Sequence, residues 1–192
     1  MSYKVNEIFY SIQGEGCNTG EPAVFVRFSM CNLACSWCDT DFVRFSEMNC
    51  DEIVSDVMRL WPSKEKTPIV VLTGGEPALQ VDETLVEALH KKSCFIAIET
   101  NGTRKLPEGI DWVTCSPKEN THLQIACADE VKVVFTGTFD LEIWRQKIET
   151  KHWLLQPLSK DGTSNTADVI DYVRRHPEWR LSVQLHKLVG IR

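Results

Sequence analysis

The sequence predicts an α/β protein built as a partial, open βα barrel of about six parallel strands. Short runs rich in β-branched and aromatic residues alternate along the chain with segments of helical spacing, a pattern typical of βα units around a parallel sheet. The chain has 192 residues. A full eight-unit barrel usually needs about 250 residues. The chain is therefore expected to form a shorter, open barrel.

The strand and helix predictions follow from these patterns in chain order. Runs with strand character lie at 22–30, 68–74, 94–100, 111–116, 130–135, 153–157 and 179–185. Segments with helical spacing lie at 51–61, 78–92, 140–150 and 165–176. The last segment opens with a plausible capping sequence and ends before Pro177, which cannot continue a helix. Because the chain has no long linker, low-complexity segment or internal repeat, we expect residues 1–192 to form one domain.

The composition excludes several classes of protein. The chain has 27 acidic and 21 basic residues, a net charge of −6, and no basic run suited to a nucleic-acid backbone. No apolar stretch has the length of a signal-peptide core or of a membrane span. We therefore expect a cytoplasmic protein that binds neither nucleic acid nor membrane. In that reducing compartment, clustered cysteines point to metal binding or catalysis more often than to disulfides.

Five of the eight cysteines are assigned no chemistry. Cys94 and Cys115 lie within apolar, strand-like runs, so we expect buried and inert thiols. Cys17, Cys50 and Cys127 have no partner at metal-ligand spacing. The chemistry is therefore expected from the remaining three.

Polar and glycine-rich segments follow five of the predicted strands. They are GGEP (74–77), TNG (100–102), SPK (116–118), PLS (157–159) and HK (186–187). The carboxyl ends of parallel strands lie at one edge of the sheet, and ligands of α/β proteins bind at that edge. The sequence thus predicts a functional site there.

Cys31, Cys35 and Cys38 follow the spacing C-x3-C-x2-C directly after the predicted strand 22–30. A closed structural zinc site needs a fourth ligand, and no second CxxC or nearby histidine pair supplies one. A [4Fe–4S] cluster held by three cysteines leaves one iron open to an exogenous ligand. The spacing favours a catalytic iron–sulfur site, with a non-catalytic zinc-binding module as the alternative.

The cysteine loop, with the aromatic Trp37 before its last cysteine, resembles the signature loop of radical S-adenosylmethionine (SAM) enzymes. In that superfamily the methionine moiety of SAM chelates the open iron, and the reduced cluster releases a 5′-deoxyadenosyl radical. The segment Gly74–Pro77 resembles the second motif of these enzymes, whose backbone binds the methionine amino group. A glycine pair at a strand end also lets the backbone approach a ligand closely.

Three further segments narrow the resemblance to the 7-carboxy-7-deazaguanine synthase family: SIQGEG (11–16), the pair Asp39-Thr40 and QLHKLVGIR (184–192). The resemblance covers essentially the whole chain. It implies that the radical takes a hydrogen from C6 of 6-carboxy-5,6,7,8-tetrahydropterin. The ring then contracts and loses ammonia to give 7-carboxy-7-deazaguanine, a step of queuosine and 7-deazapurine biosynthesis, and SAM is regenerated. It also implies Mg2+ bound by Thr40, a homodimer and an electron donor of flavodoxin type.

The resemblance also assigns the remaining site residues. Cofactor contacts are expected from Ser36, Trp37, Asp39, Gly74, Gly75, Glu76, Ser116, Pro117, Lys118, Gln156, Pro157, Leu158 and Ser159. Substrate contacts are expected from Ile12, Gln13, Gly14, Glu15, Arg27, Thr73, His186 and Arg192. Glu99 and Asn101 lie at the same edge, where they are candidates to reach the ribose or the pterin.

Two of these residues have a plainer interpretation from the pattern alone. Arg27 is equally compatible with an outward charge on an edge strand and with an inward guanidinium that binds the substrate carboxylate. The resemblance favours the inward orientation. A lone histidine such as His186 is more often structural than functional.

An alternative enzyme is a glycyl-radical-enzyme activase, which shares the cysteine spacing but lacks SIQGEG and CDT. A colourless, zinc-loaded protein would support the zinc module, whereas a brown, oxygen-sensitive protein would support the cluster.

Overall fold

The computed structural model describes residues 2–38, 40–41, 43–137, 139–160 and 162–191. The strands within these ranges are β1 (Tyr3–Ile12), β2 (Pro22–Phe28), β3 (Ser46–Met48), β4 (Ile69–Gly74), β5 (Phe95–Thr100), β6 (Trp112–Cys115), β7 (Glu130–Phe135), β8 (His152–Pro157), β9 (Ser159–Lys160), β10 (Thr163–Ser164) and β11 (Trp179–Leu181). The helices are α1 (Cys50–Leu60), α2 (Glu83–His90), α3 (Glu142–Arg145), α4 (Thr166–Arg175) and α5 (Leu185–Val189), with a 3-10 turn at Pro77–Leu79.

One sheet of nine strands organises the chain, in the order β11-β8-β7-β6-β5-β4-β2-β1-β3. The strands from β11 to β2 pair in parallel, whereas β1 is antiparallel to β2 and β3 is antiparallel to β1. Among the described residues the sheet runs from β11 to β3 without closing on itself, so the predicted open α/β architecture is confirmed. Every predicted strand run overlaps one of the parallel strands.

β1 and β3 lie outside the predicted runs. β1 carries a register irregularity between Val5 and Glu7, where its pairing with β2 shifts by one residue. Such a bulge interrupts the two-residue alternation of side chains from which strands are recognised in a sequence. The longest strand of the fold was therefore the one whose pattern was least regular.

The helices differ from the prediction mainly in their boundaries. α1 begins with a capping box, in which the Asn49 side chain accepts from Glu52 N and the Glu52 side chain accepts from Asn49 N. The predicted helix 78–92 is instead a 3-10 turn followed by α2, because Asp82 caps a new helix by accepting from Leu85 N at 3.0 Å. The predicted helix 140–150 contains only the single turn of α3, and β11 ends at Leu181 rather than at 185. No helix in the described ranges is long and apolar enough to cross a membrane.

The two faces of the sheet have different chemistry. On the outer face, alternate residues of the strands pack with α1 and α2 in one apolar cluster and with α3 and α4 in another. On the inner face a small apolar cluster contains Phe9, Ala23, Phe25, Val71 and Ala97. Further along the same strands, towards their carboxyl ends, the inner side chains become polar. The fold thus leaves a polar, concave surface at the edge where the sequence predicts the site.

Candidate active site

A cavity of about 740 Å3 occupies the inner face of the sheet at this edge. Most of the predicted site residues line it, namely Ile12, Gln13, Gly14, Glu15, Arg27, Cys31, Cys35, Trp37, Cys38, Thr40, Thr73, Gly74, Gly75, Ser116, Lys118, Gln156, Pro157, Leu158, Ser159 and His186. Glu99 and Asn101 line it as well. Ser36, Glu76 and Pro117 lie off its wall. Asp39 and Arg192 lie outside the described residues.

The cysteine loop lines the cavity directly after β2. Met30 adopts a positive φ of 75°, which turns the chain from the strand into the loop. Within the loop, Cys38 N donates to Cys35 O at 3.1 Å, and Leu33 N donates to Cys31 Sγ at 3.4 Å. Burial raises the pKa of the Cys31 thiol and of the Cys35 thiol, so both must lose a proton when they bind a metal.

The three thiols of the loop supply the donor set that a [4Fe–4S] cluster requires. Within the part of the chain that the structure describes, no group of three or more His, Cys, Asp or Glu side chains converges as ligands of one metal ion. A [4Fe–4S] cluster binds each thiolate through a different iron, so its ligands need not converge on one point. Cys31, Cys35 and Cys38 all carry free thiols on the cavity wall, and the donor set therefore fits the cluster.

The glycine pair brings β4 against the backbone that leads into the cysteine loop. Gly75 N donates to Phe28 O at 3.0 Å, and Glu76 N donates to Met30 O at 2.8 Å. A Cβ on Gly74, whose φ is 125°, would lie 2.1 Å from Phe28 O, and a Cβ on Gly75 would lie 2.1 Å from Met30 O. Both positions therefore require glycine, because any side chain would displace the start of the cysteine loop.

Glu76 connects two loops of the site. Its buried carboxylate accepts from Asn101 N at 2.6 Å, Thr100 Oγ1 at 2.7 Å and Ala78 N at 2.9 Å. Burial raises the pKa of Glu76, and the hydrogen bonds from Asn101, Thr100 and Ala78 oppose that rise. The side chain thus joins the glycine motif to the loop after β5 and does not face the cavity.

Lys118 joins the loop after β6 to the cysteine loop. Its Nζ donates to Ser116 O at 2.6 Å and to Ser116 Oγ at 2.7 Å, and lies 5.6 Å from the centroid of the Trp37 ring. Burial lowers the pKa of Lys118, and the nearby Cys35 thiol acts in the opposite direction. A cation is thereby held beside one of the three candidate cluster ligands.

Two carboxylates provide acceptors deeper in the cavity. Glu99 accepts from Gln13 Nε2 at 3.0 Å and from Thr73 Oγ1 at 2.8 Å. Glu15 accepts from Gln184 Nε2 at 2.7 Å and forms a buried ion pair with Lys132. Because neutral donors and one cation hold these carboxylates, both can remain in fixed positions.

Arg27 lies on β2 with its guanidinium group on the cavity wall. Its Nε donates to Glu7 Oε1 at 2.8 Å, and its guanidinium carbon lies 5.7 Å from the centroid of the Phe9 ring. The guanidinium is thus oriented by both an acidic and an aromatic neighbour, and it faces inward.

The segment around α5 covers the loop between β1 and β2. Leu185 N donates to Gly14 O at 2.8 Å, and a Cβ on Gly14 would lie 2.2 Å from Nδ1 of His186. His186 therefore reaches the cavity only because position 14 carries no side chain.

Comparisons with known proteins agree with this geometry. Residues 25–120 match the family model of the radical SAM superfamily. The chain is 53% identical over 192 residues to the 7-carboxy-7-deazaguanine synthase of Bacteroides thetaiotaomicron, with 100% of both chains covered. This chain belongs to the 7-carboxy-7-deazaguanine synthase family. The synthase of Burkholderia multivorans is 44% identical, again with 100% of both chains covered. The crystal structure of QueE from Escherichia coli has a TM-score of 0.76 and 27% identity, and the match covers 97% of this chain and 95% of that one.

Membership of the synthase family implies a [4Fe–4S] cluster and SAM, in agreement with the donor set of the cysteine loop. The two alternatives, a glycyl-radical-enzyme activase and a zinc-binding module, are not favoured, because the relatives covering the whole chain are named as synthases.

Sequence reasoning missed several members of the cavity wall in this synthase-family chain. Lys132 and Gln184, which both contact Glu15, were not predicted, and neither was Glu7 beside Arg27. A signal for Lys132 exists, since it alternates with Val131 and Val133 on β7. Charged residues that alternate with valines indicate a polar inner face opposite an apolar outer face.

Proposed function

We propose that this chain converts 6-carboxy-5,6,7,8-tetrahydropterin to 7-carboxy-7-deazaguanine with loss of ammonia, in queuosine and 7-deazapurine biosynthesis. The observation that carries the proposal is a cavity that combines the three-cysteine loop with the Arg27 guanidinium and the carboxylates of Glu15 and Glu99. A pterin carboxylate needs a cationic partner, and the amino and ring N–H groups of a pterin need acceptors.

Arg27 and the two carboxylates supply complementary groups for that substrate. The Arg27 guanidinium lies on the cavity wall and would pair with the substrate carboxylate, a pairing that is strong because it is charge-assisted. Glu15 and Glu99 accept from the amino and ring N–H groups of the pterin. Gln13 keeps the Glu99 carboxylate in place by donating to it. Phe9 and Phe25 stack with ring centroids 5.1 Å apart on the same inner face. Both rings line the cavity, so they exclude water from that side of the substrate.

The cofactor residues lie on the other side of the cavity. Cys31, Cys35 and Cys38 would hold the cluster, and the backbone of Gly75 and the loop at 116–118 would contact SAM. When bound, the cluster and SAM supply the carbon-centred radical that removes a hydrogen atom from the substrate. Thr40 would ligate Mg2+ through its hydroxyl, which leaves other positions on that ion open to substrate oxygens.

Three further proposals concern organisation and partners. Residues 1–192 form one domain, which the continuous nine-stranded sheet supports. The enzyme works in the cytoplasm, which the eight free cysteines support. A homodimer and an electron donor of flavodoxin type stay predictions that follow from the family resemblance.

An anaerobic turnover assay tests the proposed function. The reconstituted protein is supplied with a reductant, SAM, Mg2+ and 6-carboxytetrahydropterin, and mass spectrometry follows 7-carboxy-7-deazaguanine and free 5′-deoxyadenosine. Deazaguanine is expected to accumulate well beyond deoxyadenosine, because SAM is regenerated. Deoxyadenosine without deazaguanine would contradict the substrate but not the radical chemistry. A Cys38→Ser variant is expected to lose both products, whereas Cys127→Ser, changed at an exposed thiol outside the cavity, keeps them.

A further inference from the structure

Lys132 is a buried cation on the cavity wall with no role in the proposed chemistry so far. It lies on β7 with 5% of its surface exposed, and it alternates with valines that pack into the outer core. Its ammonium pairs with Glu15, and it is also attracted by Glu99 and Glu130. Three carboxylates from three different segments of the chain therefore face one lysine.

The three carboxylates are not equivalent. Glu130 accepts from Cys17 N at 2.6 Å and from Thr114 Oγ1 at 2.8 Å, so it fixes the loop that follows Glu15. Glu99 lies on β5 and accepts from two neutral donors, Gln13 Nε2 and Thr73 Oγ1. In the described part of the chain, Glu15 is the carboxylate of the three that lies within ion-pair distance of the Lys132 ammonium. The main electrostatic partner of Lys132 is therefore Glu15.

Removing Lys132 would change the state of Glu15. Burial raises the pKa of the Glu15 carboxyl, but the charge and hydrogen bond of Lys132, helped by Gln184 and His186, outweigh burial and hold the pKa below its ordinary value. Burial likewise lowers the pKa of Lys132, yet attraction to Glu15, Glu99 and Glu130 leaves that pKa raised. Each partner therefore keeps the other charged.

The ion pair also determines the direction of the Glu15 side chain. One carboxylate oxygen pairs with Lys132, and the other accepts from Gln184 Nε2 at 2.7 Å and Gln156 Nε2 at 3.3 Å. Contacts from β7, β8 and the segment before α5 thus converge on one carboxylate. Without the lysine, both glutamines would have to hold that carboxylate alone.

We propose that Lys132 is a positioning residue for substrate binding, which holds the Glu15 carboxylate in place as an acceptor for the N–H groups of the pterin ring. The inference rests on the proposed function, because it takes a pterin as the ligand. Lys132 itself does not contact the substrate in this proposal; its effect passes through Glu15.

Binding of 6-carboxypterin, a fluorescent oxidised analogue of the substrate, tests the proposal without turnover. The reconstituted protein is titrated anaerobically with SAM present and reductant absent, and fluorescence anisotropy gives Kd. Lys132→Met is expected to weaken binding by about tenfold to a hundredfold, the value of a charge-assisted hydrogen bond. The matched control is Lys91→Met, which removes an exposed lysine directly after α2 and is expected to leave Kd unchanged.

A double-mutant cycle separates positioning from direct contact. In a Glu15→Gln background, adding Lys132→Met is expected to change Kd by less than about twofold, because the residue through which it acts is already neutral. The double variant removes both charges of the ion pair, and Glu99 and Glu130 keep their own hydrogen-bond donors, so it remains informative if Lys132→Met alone fails to fold. An equal loss of affinity in both backgrounds would overturn the proposal in favour of direct contact with the ligand.

The pH profile provides a readout that a general loss of packing would not change. With Lys132 present, the lowered pKa of Glu15 keeps its carboxylate ionised from about pH 8 to about pH 5.5. With methionine at 132, burial dominates and the carboxyl takes up a proton as the pH falls, so Kd is expected to rise towards acid in the variant relative to the wild type. Glu99, Glu130, Lys118 and His186 also face this region, and all four are present in both proteins.

The outcomes distinguish the inference from the proposed function. Failure of the wild-type protein to bind the pterin and to form deazaguanine would overturn the proposed function, and the inference with it. Normal binding and turnover by the wild type, with an unchanged Kd or a parallel pH profile in Lys132→Met, would overturn the inference alone.

Discussion

Replacing Glu76 with glutamine is expected to lower the free energy of unfolding by about 2–3 kcal/mol. The buried carboxylate accepts from Ala78 N and Thr100 Oγ1 on one oxygen and from Asn101 N on the other. A glutamine amide has one acceptor oxygen, so it can keep two donors at best, and its NH2 group then faces the N–H of Asn101.

The magnitude follows from these contacts. A buried N–H left without an acceptor costs about 1–3 kcal/mol, and each remaining bond loses roughly 0.5–1 kcal/mol when its acceptor is no longer charged. Relief from burying a charge offsets part of this loss. For a chain of this size, each kcal/mol corresponds to about 2–4 °C, so the midpoint of thermal unfolding is expected to fall by about 4–12 °C.

Urea unfolding of the protein without its cluster, followed by circular dichroism, measures this loss independently of the cofactor. The matched control is Glu87→Gln on α2, where the ion pair to Lys91 is exposed and 4.0 Å long. That variant is expected to stay within about 0.5 kcal/mol of the wild type. If Glu76→Gln is as stable as the control but binds SAM at least tenfold more weakly, then Glu76 is a cofactor contact and the structural reasoning is wrong.

Three further predictions test other parts of the site. Arg27→Lys is expected to raise KM for the carboxypterin substrate about tenfold or more with little change in stability, because an ammonium cannot pair bidentately with a carboxylate; steady-state kinetics with folding controls measure it. Gly74→Ala is expected to cost at least about 3 kcal/mol and to lower bound iron, since its Cβ would lie 2.1 Å from a backbone oxygen of β2. Gly20→Ala, also at positive φ but with open space around it, is expected to cost only about 1–2 kcal/mol in the same urea assay. Burial raises the pKa of Cys115 to about 12, so iodoacetamide at about pH 8 is expected to label exposed Cys127 far faster, as judged by mass spectrometry.

The parallel strands could be predicted because their signal is local. Runs such as Ile69–Gly74 and Glu130–Phe135 are rich in valine and isoleucine and are bounded by turns, so each reveals itself without its neighbours. β1 could not be predicted from the sequence, because its bulge breaks the alternation of side chains. Its pairing partners are also supplied by strands elsewhere in the chain. α3 was predicted too long because the pattern extends beyond the one turn that packs.

The residues of the site also differ in whether a local sequence pattern could predict them. The spacing of the three cysteines is a local pattern, and it identified the cofactor loop directly. The ion pair between Glu15 and Lys132 joins residues 117 positions apart, and only the order of the strands brings them together. Glu76 shows a different limit: its position next to the glycine pair suggested a ligand contact, but its side chain turns towards the loop after β5.

The contact between Glu15 and Gln184 has a consequence for how the protein is made. These two residues are separated by 169 positions in sequence, yet they share one hydrogen bond on the cavity wall. During translation most of the sheet can pair before Gln184 has left the ribosome, since closing so large a loop comes late in folding. A nascent chain would then have a nearly complete core but an incomplete pocket. It would become compact before it could bind a pterin.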